Sequence, residues 1–177
     1  NMNQIYTHPK RKTKVVFVQL GSPTEPTTKA LRKYLRKFLG DPRVVDINPW
    51  LWKIILNFFV LPFRPKKSAK LYARIWDGKS FPLITNTRDF TNNVREELKK
   101  IDPDGHVEVN HAFLLSPPYV NEVYDSWEDD LKKGIGATKL LVIPMFPQYS
   151  ESTIASGIDA LAKELSKRVK IPTFEVI

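Results

Sequence analysis

The sequence predicts an α/β fold: a doubly wound, mainly parallel four-stranded sheet with helices on both faces. Two observations carry that prediction. Short apolar runs rich in β-branched residues recur along the chain, and amphipathic helical stretches separate them. The central runs are apolar throughout rather than alternating, as in strands covered on both sides. With 177 residues, 42% of them hydrophobic, the chain can enclose one sizeable core.

The elements follow in order. Residues 1–13 read as a basic, disordered or tag-like tail with no apolar leader core, and Asn1 as a leftover ahead of a native Met2. One domain is expected over residues 14–177. Val15–Val18 is the first buried strand, broken by Gly21-Ser22-Pro23. Thr27 or Thr28 caps a helix with the stripe Leu31, Tyr34, Leu35, Phe38 and Leu39, which Gly40-Asp41-Pro42 stops. Pro49–Phe63 is apolar almost all round, too short to span a bilayer, and runs into Arg64-Pro65-Lys66-Lys67. A helix over Ser68–Trp76 is expected to turn Leu71, Tyr72, Ile75 and Trp76 inward. The next helix carries Phe90, Val94, Leu98 and Ile101, and Asp102-Pro103-Asp104-Gly105 is a turn. His106–Leu115 is the second strand. Val120, Val123, Tyr124, Trp127 and Leu131 mark a helix, Leu140–Ile143 the third strand, Ile154–Val169 the last helix and Thr173–Ile177 the fourth strand.

Composition narrows the function classes. The net charge is +9, and cations such as Lys29, Lys33 and Arg36 fall between apolar helix positions, as on a solvated face. No nucleic-acid motif accompanies them, so no nucleic-acid partner is expected. The absence of cysteine excludes disulfides and thiolate metal sites and is compatible with a reducing compartment.

In parallel sheets ligands sit beyond the carboxyl ends of strands, which directs attention to Leu20–Thr24, His111–Pro118 and Phe146–Thr153. Phe146–Thr153 leaves a strand and enters a helix. Ser150 and Ser152 there read either as simple N-caps or as the rim of an anion site. Arg64, Lys66, Lys67 and Lys70 beside the apolar stretch suit a flat ligand edged with carboxylates, an interfacial membrane helix, or an ordinary buried helix with cations at its end. His8, His106 and His111 have no metal-ligand spacing, and the two strand histidines read as structural.

Four motifs in order resemble the ferrochelatases: Val18-Gln19-Leu20-Gly21-Ser22-Pro23, Asp41-Pro42-Arg43-Val44-Val45-Asp46, Pro62–Trp76, and Phe146-Pro147-Gln148-Tyr149-Ser150. The resemblance implies the N-terminal, chelatase-like half of an enzyme of the lyase class. Such an enzyme inserts ferrous iron into protoporphyrin IX to make protohaem in haem biosynthesis. It implies substrate binding by Leu20, Arg64, Tyr72, Phe146, Tyr149, Ser150 and Ser152. Arg64 and Ser152 would face propionates, and Pro49–Phe63 would form the lip over the macrocycle. No catalytic residue is expected in this chain, since the family's catalytic histidine belongs to a second domain beyond Ile177. Iron and porphyrin are substrates, and no resident cofactor is implied. Glu151 stands where some members place an iron–sulfur-ligating cysteine, so no cluster is expected.

Three departures stand out. Ser80-Phe81-Pro82-Leu83 replaces Gly-Ser-Pro-Leu, Ala112-Phe113 replaces an Arg-Tyr pair, and Gln19 replaces an asparagine. The alternative reading is a porphyrin- or haem-binding relative without catalytic activity. A membrane-surface module resting on Trp50–Lys67 is a third. The resemblance further implies a cytoplasmic protein that can sit at the inner face of the membrane through Trp50–Phe63. Three structural expectations follow: Arg64 and Ser152 share one cleft, the Pro49–Phe63 segment is partly exposed, and an uncovered apolar face promotes self-association.

Overall fold

The computed structural model describes residues 12–134, 136–146, 159, 162–163, 166–167 and 173–176. Its elements are β1 (Thr13–Gln19), α1 (Thr28–Leu39), α2 (Pro49–Ile55), α3 (Leu61–Tyr72), α4 (Pro82–Ile101), β2 (Val107–Phe113), α5 (Val120–Lys132), β3 (Lys139–Pro144) and β4 (Thr173–Val176). The four strands form one sheet in the order β2-β1-β3-β4, with every neighbouring pair parallel. Thr13, assigned to the tail from sequence, is the first residue of β1. Of the last expected helix, Asp159, Ala162, Lys163 and Ser166 are helical, Lys167 is in a turn, and the other residues lie outside the described ones.

Successive residues of β1 point to opposite faces, so its unbroken apolar run feeds two cores. On one face Val16, Val18, Ala112, Leu140 and Val142 pack on Tyr124 and Trp127 of α5. On the other, Val15, Phe17 and Val109 pack on Val94 and Leu98 of α4, and the Phe90 ring meets Phe17 edge-on at 5.1 Å. The handedness of parallel crossovers explains the division. The chain steps one way from β1 to β2 through α4. It then steps back over β1 to β3 through α5, so the two helices land on opposite faces. The direction reverses between β1 and β3, which makes their carboxyl ends the topological switch point.

Several elements depart from their expected bounds for local reasons. Thr27, not Thr28, caps α1: its Oγ1 accepts from Ala30 N at 3.2 Å. Helix α4 begins at Pro82, well before its apolar stripe. Its early buried positions are Thr87 and Thr91, whose hydroxyls donate to Leu83 O and Thr87 O at 2.7 Å each. Threonines satisfied inside the helix give no hydrophobic period to read. Ile101, placed in the stripe, is exposed at the helix end. The ladder of β2 stops at Phe113, but Leu114 N and Leu115 N still bond to Gln19 O and Leu20 O at 3.1 and 3.0 Å.

Candidate functional site

The crevice floor is built from the loop after β1. Gly21 has φ +93°, and a Cβ there would lie 2.4 Å from Ser116 Oγ and 3.0 Å from Phe113 Cβ. Only glycine allows this close approach of the β1 and β2 loops. The Ser22 amide then donates to Ser116 Oγ at 3.2 Å. Gln19, noted as a departure, ties the floor to β3: its Nε2 donates to Met145 O at 2.9 Å, and its Oε1 accepts from Leu20 N at 3.0 Å. Leu20 is thereby fixed, half-buried, at the switch point.

Beside this floor rises a bent helical segment. Asn48 Oδ1 accepts from Trp50 N and Leu51 N to start α2. A π-turn over Leu56–Val60 follows, and Leu61 N bonds back to Leu56 O. Pro62 and Pro65 lack the N–H groups an α-ladder needs. Pro65 leaves the carbonyl of Leu61 without its helical donor, and Arg32 Nε of α1 donates to it at 3.3 Å. Leu56 and Leu61 are buried with Tyr34, Leu35 and Leu39, and Trp52 Nε1 donates to Leu39 O at 2.6 Å. So one side of the segment is anchored on α1. The opposite side is open: Trp50 is 74% exposed, Phe63 72%, Phe58 70% and Phe59 65%. The expected partial exposure of Pro49–Phe63 is therefore observed.

The next stretch departs from its expected course. The expected helix over Ser68–Trp76 is the end of α3 followed by a 3-10 turn at Ala73–Ile75. Leu71 and Ile75, expected inward, are exposed. Tyr72 and Trp76 do turn in, because Phe81 gathers them: its ring, 1% exposed, meets Tyr72 at 5.5 Å and Trp76 at 4.7 Å, both edge-on. Tyr34 also contacts Tyr72, ring to ring at 6.3 Å. Burial, with the neighbouring Tyr72 hydroxyl, pushes the Tyr34 phenol above its ordinary range. In the sequence Phe81 marks only a departure from a family motif, and no local pattern signals its role in fixing Tyr72.

The remaining site residues divide. Arg64 is exposed on α3, and among the described residues it has no ion-pair partner. Phe146 follows β3 and lines a small apolar cavity on the α5 side with Val16, Val18, Val142 and Val176. Tyr149, Ser150 and Ser152 lie outside the described residues, and with them the test of a shared Arg64–Ser152 cleft. His106 Nδ1 lies 2.9 Å from Asp102 Oδ1, and that bond, with the Val107 amide, holds the Asp102 carboxyl below its usual value. His111 sits half-buried in β2. Burial first, then Arg95 and Arg88, lower its affinity for a proton. Among the described residues no three histidine or acidic side chains gather as a metal site, and no helix is long and apolar enough to cross a membrane.

Comparison with known proteins agrees with this architecture. The ferrochelatase family model matches residues 12–177. The ferrochelatase of Idiomarina loihiensis is 42% identical over 163 residues, 92% of this chain and 43% of that protein. That of Teredinibacter turnerae is 38% identical over 176 residues, 99% of this chain and 46% of its own length. The coproporphyrin III ferrochelatase of Streptococcus mutans is 38% identical over 169 residues, covering 95% and 50%. The chain thus spans about half the length, or less, of these curated relatives. With its parallel sheet, switch-point crevice and ordered motifs, the chain belongs to the ferrochelatase family.

Proposed function

We propose that the chain forms the N-terminal half of a ferrochelatase and supplies one wall of the cleft in which ferrous iron enters a porphyrin. One observation carries the reading: an exposed aromatic lip, anchored on α1 and edged by Arg64, Lys66 and Lys67, stands beside a crevice at the carboxyl ends of parallel strands. A porphyrin is flat, apolar and rimmed by carboxylates. In this proposal the lip covers the macrocycle and excludes water, which strengthens every polar contact in the closed cleft. Arg64 pairs with a propionate through charge-assisted hydrogen bonds. Leu20 lies against the macrocycle face, Tyr72 is held at its edge by Phe81, and the Ser150 and Ser152 hydroxyls donate to a propionate.

Insertion also needs a base to take the pyrrole protons. We assign that role to no residue of this chain: His106 is engaged with Asp102, and His111 is packed in β2. Ferrous iron and porphyrin are substrates, and the sequence has no cysteine with which to hold an iron–sulfur cluster by thiolates. The lip's exposed aromatics beside Lys66 and Lys67 also suit shallow contact with an anionic membrane face, consistent with a cytoplasmic protein.

The test is a titration of the chain with protoporphyrin IX and with coproporphyrin III, following the porphyrin absorption band and tryptophan fluorescence. Saturable binding is expected. Arg64→Ala should weaken it about tenfold, the worth of one charge-assisted hydrogen bond. No saturable change with either porphyrin would sink the reading.

A further inference from the structure

We propose that Arg32, on α1, is a positioning residue for the lip: it holds the start of α3 so that Phe63 and Arg64 face the porphyrin. The inference rests on the porphyrin reading above and adds to it a residue that acts through the lip rather than on the substrate. In an α-helix the Leu61 carbonyl accepts from the N–H four residues on, and Pro65 has none. Leu61 and Pro65 are both buried, so water is a poor replacement for that donor. Arg32 Nε takes the place at 3.3 Å. Among the described residues its guanidinium has no carboxylate within ion-pair distance, so no competing partner sets its direction.

The bond is one of two clamps between α1 and the lip. Arg32, Leu35 and Leu39 are spaced i, i+3 and i+7, which puts them on one face of α1. Leu35 and Leu39 are buried against Leu56 and Leu61. Leu39 O accepts from Trp52 Nε1 at 2.6 Å, and Arg32 stands two turns before Leu39, roughly 10 Å along the helix axis. Trp52 precedes the π-turn at Leu56–Val60, and Leu61 follows it. So α1 holds the segment on both sides of the turn that displays Phe58 and Phe59.

Around Leu61 the chain itself offers little stiffness. A π-turn ends there, Pro62 lacks an N–H, and the helical bond from residue 65 is missing. The far end of α3 is fixed separately, with the Tyr72 ring 6.3 Å from Tyr34 and 5.5 Å from Phe81. Phe63 and Arg64 lie two and three residues beyond Leu61, and both are exposed. A rotation of the backbone at Leu61 therefore swings both of them, while Tyr72 stays in place. The hydrogen bond from Arg32 ties this point to α1.

Substitutions in the 177-residue chain test this. Arg32→Gln places an amide Nε2 where the guanidinium Nε stands, and Arg32→Met has similar length without a donor. Pro65→Ala returns an N–H to the Leu61 carbonyl. Hydrogen exchange at the Leu61 and Phe63 amides reads the lip directly, and titration with protoporphyrin IX reads the consequence. Arg32→Met should speed exchange and weaken binding about fivefold each, whereas Arg32→Gln should stay within about twofold of the parent chain. In the Pro65→Ala background, Arg32→Met should change either quantity by no more than about twofold. Equal behaviour of the Met and Gln variants would overturn the proposal. So would an about fivefold loss of binding that persists in the Pro65→Ala background, since Arg32 would then act on the porphyrin itself. Should Pro65→Ala fail to fold, the Met and Gln pair still decides. If the parent chain binds no porphyrin, the porphyrin reading falls, and exchange alone decides whether Arg32 holds the lip.

Discussion

At Gly21 two effects coincide: a positive φ and a neighbour with no room for a methyl group. Gly78 shares the same φ of +93° but has nothing within 4 Å. The pair separates backbone strain from steric contact. Gly78→Ala should cost ~1 kcal/mol, the price of the left-handed region alone. Gly21→Ala should cost roughly 2–3 kcal/mol more and loosen the Ser22–Ser116 bond, as urea denaturation would report. His111 carries a second residue-scale prediction. Its Nδ1 is buried without a hydrogen bond, and the fold holds its pKa below the ordinary value. Its contribution to stability is therefore full above the unfolded pKa of ~6.5. It is lost as pH falls from there through the folded pKa, because the unfolded chain takes a proton that the native chain resists. The urea midpoint should drop between pH 7.5 and 5.5, and His111→Phe should flatten that drop. An unchanged drop would assign the acid sensitivity to other groups.

The lip shows how one helical segment can be part anchor and part open surface. Leu61 is 2% exposed, whereas Phe63, two residues on, is 72% exposed. Leu61→Ala should cost ~2–5 kcal/mol by opening the cluster with Tyr34 and Leu39. Phe63→Ser and Phe58→Ser should change stability by no more than ~0.5 kcal/mol. Both serine variants should nonetheless weaken porphyrin binding, by absorption titration, since each removes apolar surface from the proposed cover. Denaturation curves and titrations that moved together would instead mean the lip is core. The amphipathic α1 and the turn at 102–105 were legible because each has a strong local signal. The bend of the lip was not: it arises from a π-turn, two prolines and a cross-helix bond from Arg32, none of which has a hydrophobic period.

The sheet is covered unevenly. On the α5 side Leu140 and Val142 are buried, but Leu141, Ile143 and Met145 on the α4 side are only half-buried. Together with the lip they leave apolar surface that water disfavours. The chain should therefore sediment as a dimer or larger assembly at micromolar concentration, and Ile143→Ser should shift it towards monomer. A clean monomer would show that this face tolerates solvent. Given ferrous iron and protoporphyrin without oxygen, the chain should show no metal insertion above the uncatalysed rate. Turnover would mean that a base among its own residues, His111 first, had been misread.

Strand order is a different matter from strand identity. Val15–Val18 and Leu140–Ile143 announce themselves as buried strands, and the α/β alternation narrows the sheet to parallel connections, because both signals are local and periodic. The motifs likewise point to the family and to Arg64 and Tyr72 by position. What they cannot specify is which chain segments meet. That β1 lies between β2 and β3, that Gln19 reaches Met145, and that Lys37 lies over Tyr119 are contacts across long stretches of sequence. Phe81 shows the same limit at one side chain. In the sequence it only interrupts a familiar motif. In the fold it is the buried ring on which Tyr72 and Trp76 settle, since packing joins residues by shape and reach rather than by spacing along the chain.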